Sequence, residues 1–198
     1  MERKILKIGM LGCGWMGRAH TNGYVTSRSM NWYNCNFAPE LTVIGAENEI
    51  MAYEAAQRFG YKRCAGGWEE IVVDNEVDII DNVTPDKLHV VPSLEAIKNR
   101  KHIICEKPLA VRADDARLMM ESAEAAGVKH MCCFSYRFFP AVRLAYELVQ
   151  SGALGKLYHF TGKYYQDQGS IEETKAEDIW YINWSGIGQG IASHLIDM

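Results

Sequence analysis

The sequence lacks the features that mark several protein classes. It has no cluster of Lys and Arg residues, its formal net charge is −4 and its pI is near 5.9. A protein that neutralises many phosphates at once needs concentrated positive charge, so we expect neither a nucleic acid nor an anionic membrane as a partner. No apolar run approaches the roughly 20 residues that a transmembrane helix requires.

The six cysteines form no C-x-x-C pair and no disulfide framework. Several of them lie inside apolar runs, where a thiol behaves as a small core residue. We therefore predict reduced cysteines and a cytoplasmic protein. The first residues faintly resemble a signal peptide, but four glycines interrupt the apolar run and no cleavage motif follows.

Short apolar segments alternate with helix-like segments over the first 134 residues. The predicted strands are Ile5–Leu11, Leu41–Ala46, Val77–Val83, His102–Cys105 and Val128–Phe134. The predicted helices are Trp15–Arg28, Ile50–Phe59, Leu88–Asn99 and Ala113–Ala126, and residues 29–39 are predicted to be an inserted loop. This alternation is typical of β-α-β crossovers. The predicted fold class is therefore α/β, with a doubly wound parallel sheet covered by helices on both faces.

The pattern changes after residue 139. Pro140–Ser151 is predicted to be one more helix, and a helical segment covers Ile191–Met198. Between them, the aromatic and β-rich segment Leu157–Gln166 is predicted to be a strand of an antiparallel sheet. Residues beyond the parallel sheet therefore indicate a second structural unit.

Residues 12–17 (GCGWMG) form a G-x-G-x-x-G motif directly after the first predicted strand. In that setting Gly12 makes the tight turn, Gly14 lets a pyrophosphate approach the backbone, and Gly17 lets the helix pack on the strand. The first amides of the helix, at Trp15 and Met16, are placed to hold the phosphates. The motif predicts dinucleotide binding, and the alternative is an incidental glycine-rich turn.

Glu47 follows the second predicted strand, where a carboxylate can accept hydrogen bonds from both ribose hydroxyls of an adenosine. It lies further from Gly17 than the usual spacing of about 20 residues, and the inserted loop at residues 29–39 accounts for the excess. No arginine follows in residues 47–49 (ENE) to receive a 2′-phosphate. We therefore predict NAD rather than NADP. The alternative is an ordinary exposed glutamate at a strand end.

Two further segments follow predicted strands at the carboxyl edge of the sheet, where doubly wound sheets bind ligands. Residues 84–89 (TPDKLH) follow Val77–Val83, and residues 106–108 (EKP) follow His102–Cys105. A lysine in such a turn is placed for proton transfer. Considered separately, the first segment is an ordinary turn capped by an aspartate, and the lysine is an ordinary surface residue.

The order of these motifs resembles the family of NAD(P)-dependent oxidoreductases named for glucose–fructose oxidoreductase, inositol dehydrogenase and the rhizopine-catabolism protein. The resemblance covers nearly the whole chain, and its EKP and TP-x-x-x-H elements are more specific than the glycines. It implies a Rossmann domain at residues 1–135, followed by an α/β domain with an open, mainly antiparallel sheet. The matching motifs are residues 12–17 (GCGWMG), Glu47, residues 84–89 (TPDKLH), 105–110 (CEKPLA), 135–140 (SYRFFP), 155–157 (GKL) and 193–197 (SHLID).

In this resemblance Lys107 corresponds to the catalytic lysine of the family and His194 to its second acid–base residue. Many members have an aspartate four residues before that histidine, where this chain has Gly190. Asp197 lies on the same helical face as His194 but is not a position that the family uses. The implied cofactor-binding residues are Gly12, Gly14, Trp15, Met16, Gly17, Glu47, Thr84, Pro85, His89, Glu106, Lys107 and Arg137.

The resemblance implies hydride transfer between NAD and a secondary alcohol of a sugar, an inositol or a sugar derivative. Two alternatives remain: an NAD-dependent glycosidase of the same fold, and a non-catalytic NAD-binding regulator, which Gly190 favours. Because family members are longer, residues 136–198 are expected to be only the N-terminal part of the substrate and oligomerisation domain. The 198 residues alone are then expected to bind NAD without turnover, and the full-length protein to be a homo-oligomer.

Two residue clusters permit a second interpretation. His130, Cys132 and Cys133 carry metal-ligating atoms, but they lie in a predicted buried strand, so we expect core packing and no metal site. The other cluster is aromatic and is suited either to stacking on a sugar or to a second core. Its members are Tyr164, Tyr165, Trp180, Tyr181 and Trp184.

Overall fold

The computed structural model describes residues 3–30, 36–165 and 189–198. The chain forms two compact units, Met1–Cys132 and Cys133–Met198, whereas the sequence places the domain boundary after residue 135. Within the described residues, no helix combines the length and hydropathy needed to cross a bilayer.

The first unit contains a six-stranded parallel sheet. Its strand order, β3-β2-β1-β4-β5-β6, is that of a doubly wound sheet and confirms the predicted fold class. The strands are β1 (Lys4–Leu11), β2 (Phe37–Gly45), β3 (Arg63–Ala65), β4 (Ile79–Asn82), β5 (His102–Cys105) and β6 (His130–Cys132).

Helices follow the strands in the first unit. They are α1 (Trp15–Met30), α2 (Glu49–Phe59), α3 (Trp68–Val72), α4 (Val90–Lys98) and α5 (Ala113–Ala126), with a 3₁₀ turn at Asp86–Leu88. Their ends follow local chemistry. The Asn48 side chain accepts a hydrogen bond from the Met51 amide at the start of α2, and α2 and α5 end at Gly60 and Gly127 in the left-handed conformation.

Adjacent strand residues belong to opposite cores. Leu11 and Val43 pack with Ile80 in one buried cluster, while their neighbours Met10 and Ile44 pack in another. Because side chains alternate along a strand, these clusters cover the two faces of the sheet. Burial on both faces explains why the strands read as nearly continuous apolar runs.

The first unit differs from the predictions in three details. The inserted loop at residues 29–39 is too long, since α1 reaches Met30 and β2 begins at Phe37; residues 31–35 lie outside the described part. The sequence analysis missed β3 and α3, whose three and five residues are too few to show a periodicity. The predicted helix Leu88–Asn99 begins later, at the start of α4.

The predicted buried strand Val128–Phe134 is a three-residue edge strand, β6. His130 is exposed and Cys132 is half-buried, so the expected core packing of His130 is wrong. An edge strand has a neighbour on one side only, and here that neighbour is β5.

The second unit begins with a 3₁₀ turn at Ser135–Phe138, followed by α6 (Pro140–Gln150), and it also contains α7 (Gln189–Asp197). The predicted strand at Leu157–Gln166 is wrong, because residues 157–165 form no strand. Aromatic and β-branched residues favour a strand because they pack well on a sheet that already has a neighbouring strand. A segment rich in such residues does not provide that neighbouring strand itself. Residues 166–188, which include Trp180, Tyr181 and Trp184, lie outside the described part.

Candidate functional site

Main-chain hydrogen bonds bring the predicted loops of the first unit to one edge of the sheet. The Gly12 amide donates to the Gly45 carbonyl (2.9 Å), the Val83 amide to the Leu11 carbonyl (3.0 Å), and the Glu106 amide to the Asn82 carbonyl (2.9 Å). These bonds extend the ladders past the ends of β1, β4 and β5. The glycine motif, Glu47, the TPDKLH segment and the EKP segment therefore lie along the carboxyl edge of four adjacent strands.

The three motif glycines have different environments. Gly12 has φ +107°, and a Cβ there would lie 3.2 Å from the Val83 carbonyl oxygen. A Cβ at Gly17 would overlap the Gly12 carbonyl oxygen, so α1 could not pack against the loop. A Cβ at Gly14 would meet no atom within 4 Å. The protein backbone thus requires Gly12 and Gly17, while the surface of Gly14 is open, as the approach of a pyrophosphate demands.

The start of α1 faces the same edge. Trp15 is the first helical residue and its side chain is 79% exposed, while Met16 is partly buried. The first amides of a helix have no partner within the helix and carry the positive end of its dipole. Together with Gly14 they fit a phosphate-bearing ligand.

Glu47 is exposed two residues beyond the end of β2. Gly45 pairs with Leu11, the last residue of β1. Glu47 therefore follows the strand next to the glycine loop, at the position from which a carboxylate can reach the ribose of a dinucleotide.

Asn82 organises the TPDKLH segment from inside the protein. Its side-chain oxygen accepts hydrogen bonds from the Thr84 hydroxyl (2.6 Å) and amide (3.2 Å). Its amide nitrogen donates to the carbonyl oxygens of Leu88 (3.3 Å) and His89 (3.2 Å) and to Ser93 Oγ (3.2 Å). These bonds fix Thr84 and leave Pro85 exposed at the edge.

His89 joins two loops of the site and is 1% exposed. Its Nδ1 lies 2.9 Å from the Pro108 carbonyl oxygen and its Nε2 lies 2.7 Å from the Thr84 carbonyl oxygen. The His89 side chain thus connects the segment at residue 84 to the one at residue 108. Its place beside the cofactor stays a prediction.

The EKP segment holds Lys107 in a half-buried position. Glu106 is 7% exposed, and its Oε2 accepts a hydrogen bond from the Lys107 amide at 3.0 Å. The other oxygen of Glu106, Oε1, lies 3.2 Å from Nε2 of His20. The hydrogen bonds of the Glu106 carboxylate are thus made within the protein.

His20, on α1, lies between two carboxylates. Its Nδ1 is 2.9 Å from Oδ2 of Asp81, which is fully buried and also accepts a hydrogen bond from the Tyr24 hydroxyl at 2.7 Å. Burial alone lowers the pKa of His20, but the hydrogen bonds and negative charges of Asp81 and Glu106 outweigh it and raise that pKa to about 10. The ring is therefore an imidazolium at neutral pH.

This pKa predicts how the stability of the first unit depends on pH. In the unfolded chain His20 loses its proton near its ordinary pKa of 6.5, whereas in the folded protein it keeps the proton to about 10. The stabilisation from the charged ring is complete below pH 6.5 and is lost between 6.5 and 10. We expect the difference in unfolding free energy between the unmodified protein and His20→Gln to shrink over that interval in urea titrations. The exposed His130→Gln variant is the control, and a difference for His20→Gln that stays constant with pH would contradict the assignment.

His20, Asp81 and Asn82 belong to no motif that the sequence displays. One signal was available, since Asp81 and Asn82 lie inside the apolar run of residues 77–83 (VDIIDNV). A carboxylate in a strand buried on both faces requires a partner. The identity of that partner was not readable, because His20 is 61 residues away from Asp81.

In the second unit His194 lies among aromatic rings. It stacks on Tyr136 with ring centroids 4.4 Å apart and an interplanar angle of 17°, and it meets Phe134 edge-on at 6.3 Å. The Tyr136 hydroxyl shares a hydrogen bond with the Tyr164 hydroxyl at 2.7 Å. Tyr136 therefore orients the ring of His194 within this unit.

Arg137 forms an ion pair with Asp197, in which Nε donates to Oδ2 at 3.0 Å. The pair joins the 3₁₀ turn to α7. Tyr136 and Arg137 both belong to this turn, which follows the predicted strand end at Phe134 directly.

The sheet order, the glycine loop and the neighbouring carboxylate together define a dinucleotide-binding Rossmann domain. Residues 6–134 match the sequence model of the oxidoreductase family with an NAD-binding Rossmann fold. The chain belongs to that family, the one named for glucose–fructose oxidoreductase, inositol dehydrogenase and the rhizopine-catabolism protein, whose Rossmann fold binds NAD.

Relatives with named activities resemble the chain over most of its length. Levoglucosan dehydrogenase of Pseudarthrobacter phenanthrenivorans is 35% identical over 197 residues, which are 98% of this chain and 50% of that protein. The structure of a levoglucosan dehydrogenase in complex with NADH and levoglucosan superposes with a TM-score of 0.91 at 34% identity, covering 98% of this chain and 52% of the other.

A relative with a different activity is also similar. The 2,7-anhydro-N-acetylneuraminate hydratase of Escherichia coli is 35% identical over 153 residues, 77% of this chain and 38% of that protein. The chain thus spans about half the length, or less, of these relatives.

Proposed function

We propose that the protein is an NAD-dependent dehydrogenase that oxidises a secondary alcohol of a sugar, an inositol or a sugar derivative. The observation that supports this most directly is the arrangement at the carboxyl edge, where Lys107 follows β5 in the same row of loops as the glycine motif and Glu47. The similarity to levoglucosan dehydrogenase supports the substrate class.

The residues present fit NAD. The open face of Gly14 and the first amides of α1 would hold the pyrophosphate, and Glu47 the adenosine ribose. Thr84 and Pro85, fixed by Asn82, would border the nicotinamide side. When bound, NAD supplies the acceptor for a hydride.

Lys107 performs the proton transfer in this proposal. Its amine accepts the proton of the substrate hydroxyl while the hydride leaves the same carbon, so that the alcohol becomes a carbonyl. His194, oriented by Tyr136, binds the hydroxyl or passes the proton on. Arg137 is proposed to bind the cofactor, with Asp197 fixing its guanidinium.

The cofactor preference is testable at Glu47. A carboxylate accepts both ribose hydroxyls but repels a 2′-phosphate. Charged hydrogen bonds of about 1.5–3 kcal/mol imply a roughly ten- to hundredfold tighter binding of NADH than of NADPH in calorimetric titrations. Glu47→Gln is expected to reduce this ratio, whereas Glu54→Gln, an exposed glutamate on α2, is expected to leave it unchanged. Equal affinities for the two cofactors in the unmodified protein would refute the assignment.

A second candidate function follows from the similarity to the hydratase. An NAD-dependent glycosidase or related lyase oxidises its substrate transiently and then reduces it again. A screen of sugars and polyols with NAD, monitored by NADH absorbance, separates the two. A dehydrogenase accumulates NADH, the glycosidase releases product without net NADH, and a regulator binds NAD and leaves every substrate unchanged.

We further propose that the partner is a small sugar or polyol and that the full-length protein is a cytoplasmic homo-oligomer. The spacing of the six cysteines in the sequence, with no C-x-x-C pair and no disulfide framework, supports a reducing compartment. Sedimentation of the full-length protein tests the oligomeric state.

A further inference from the structure

The buried cluster of His20, Asp81 and Glu106 has no part in the reaction described above, yet it adjoins the turn that carries Lys107. Its three members come from α1, from β4 and from the end of β5. α1 is the helix that begins at the glycine motif, so His20 links the dinucleotide-binding helix to the turn that carries Lys107.

The cluster places one cation between two buried carboxylates. Asp81 is fully buried and Glu106 is 7% exposed, while the His20 side chain is 16% exposed. The two nitrogens of the planar His20 ring point in different directions. Nδ1 donates to Oδ2 of Asp81 at 2.9 Å, and Nε2 donates to Oε1 of Glu106 at 3.2 Å. A cation between them compensates both carboxylates, since an unpaired charge in a buried site is strongly disfavoured.

The hydrogen bonds continue from this cluster to the backbone of Lys107. Oε1 of Glu106 faces His20, and Oε2 accepts the Lys107 amide N–H at 3.0 Å. The orientation of the Glu106 carboxylate is therefore set on one side by the imidazolium and determines, on the other side, where the Lys107 amide lies. Tyr24 holds Asp81 from the same helix as His20, which fixes the far end of the chain of bonds.

We propose that His20 is a positioning residue for Lys107. By donating to Asp81 and Glu106 at once, it fixes the carboxylate that holds the Lys107 amide, and so it sets the turn from which the lysine side chain projects. This inference depends on the proposed catalytic role of Lys107. Because the phosphates are held by Gly14 and the helix amides, His20 acts on turnover and not on cofactor affinity.

The test is a double-mutant cycle in the full-length enzyme, with His20→Gln, Glu106→Gln and the two combined. We expect each single variant to lower kcat at least about tenfold while the Kd for NADH changes less than about threefold. If His20 acts through Glu106, the combined variant is no slower than the slower single variant. A kcat of the combined variant that falls by the product of the two single losses would overturn the proposal. Normal turnover of His20→Gln would also overturn it. His130→Gln, an exposed histidine of the same unit, is the matched control with unchanged kcat.

A spectroscopic measurement makes the test independent of turnover and of variants that fail to fold. Long-range ¹H–¹⁵N correlation at pH 8 should show both ring nitrogens of His20 protonated, in the unmodified protein and in Lys107→Met. A neutral ring with one proton would overturn the proposal. The Lys107→Met variant separates the catalytic role of Lys107 from the positioning role of His20. If Lys107→Met turns over normally, the proposed function fails. If it is inactive while His20→Gln is fully active, only the positioning role of His20 fails.

Discussion

Lys107→Met is expected to lower kcat by at least about 10², because general acid–base catalysis contributes about 10²–10⁴ and a thioether can neither accept nor return a proton. The substitution keeps an unbranched side chain, one atom shorter than lysine, and the amide that donates to Glu106. Cofactor binding depends on the glycine loop and Glu47, so the Kd for NADH should change little. The measurement is steady-state turnover of the full-length enzyme together with calorimetric titration of NADH.

Lys98→Met is the matched control for this substitution. Lys98 lies at the end of α4, its side chain is 71% exposed and it pairs with Glu95. An exposed pair of this kind contributes little, so both turnover and stability should remain close to those of the unmodified protein. Normal turnover of Lys107→Met, with Lys98→Met also normal, would remove Lys107 from the mechanism.

Three glycines of the same loop and helix are expected to respond differently to a side chain. Gly14→Val should leave the fold intact, because a Cβ there meets no atom within 4 Å, but it fills the space through which the pyrophosphate approaches. Loss of two charged hydrogen bonds of about 1.5–3 kcal/mol each implies NADH binding weaker by at least about 10². Calorimetric titration and thermal unfolding measure the two effects separately.

Gly17→Ala should lower stability itself, because its Cβ overlaps the Gly12 carbonyl oxygen. Forcing a methyl group into such a contact typically costs about 1–3 kcal/mol. Gly23→Ala, on the exposed side of α1 with no atom within 4 Å, is the control and should stabilise the helix by about 0.5–1 kcal/mol. Normal NADH binding by Gly14→Val would show that no phosphate approaches the loop at Gly14. A Gly17→Ala variant as stable as Gly23→Ala would show that a Cβ at residue 17 does not disturb the packing of α1 on the Gly12 carbonyl.

The sequence by itself determined the doubly wound sheet, because five of its six strands are apolar runs separated by helical periodicity, and burial on both faces makes such runs visible. It also determined which segments reach the carboxyl edge. Parallel strands all end on the same side, so any residue directly after a strand, such as Glu47 or Lys107, lies at that edge whatever the packing. The prediction of dinucleotide binding from the glycine motif rests on local geometry of the same kind.

Only the tertiary structure decided how the site is held together. The partners of Asp81 and Glu106 come from α1, 61 and 86 residues away from them, and no local pattern encodes a pairing over that distance. The same holds for His89, whose ring joins the backbones at residues 84 and 108 through contacts that no local pattern encodes. For Leu157–Gln166 the sequence predicted a strand, and the described residues 157–165 form none. A strand exists through hydrogen bonds to a neighbouring strand, and the propensity of one segment cannot supply that neighbour.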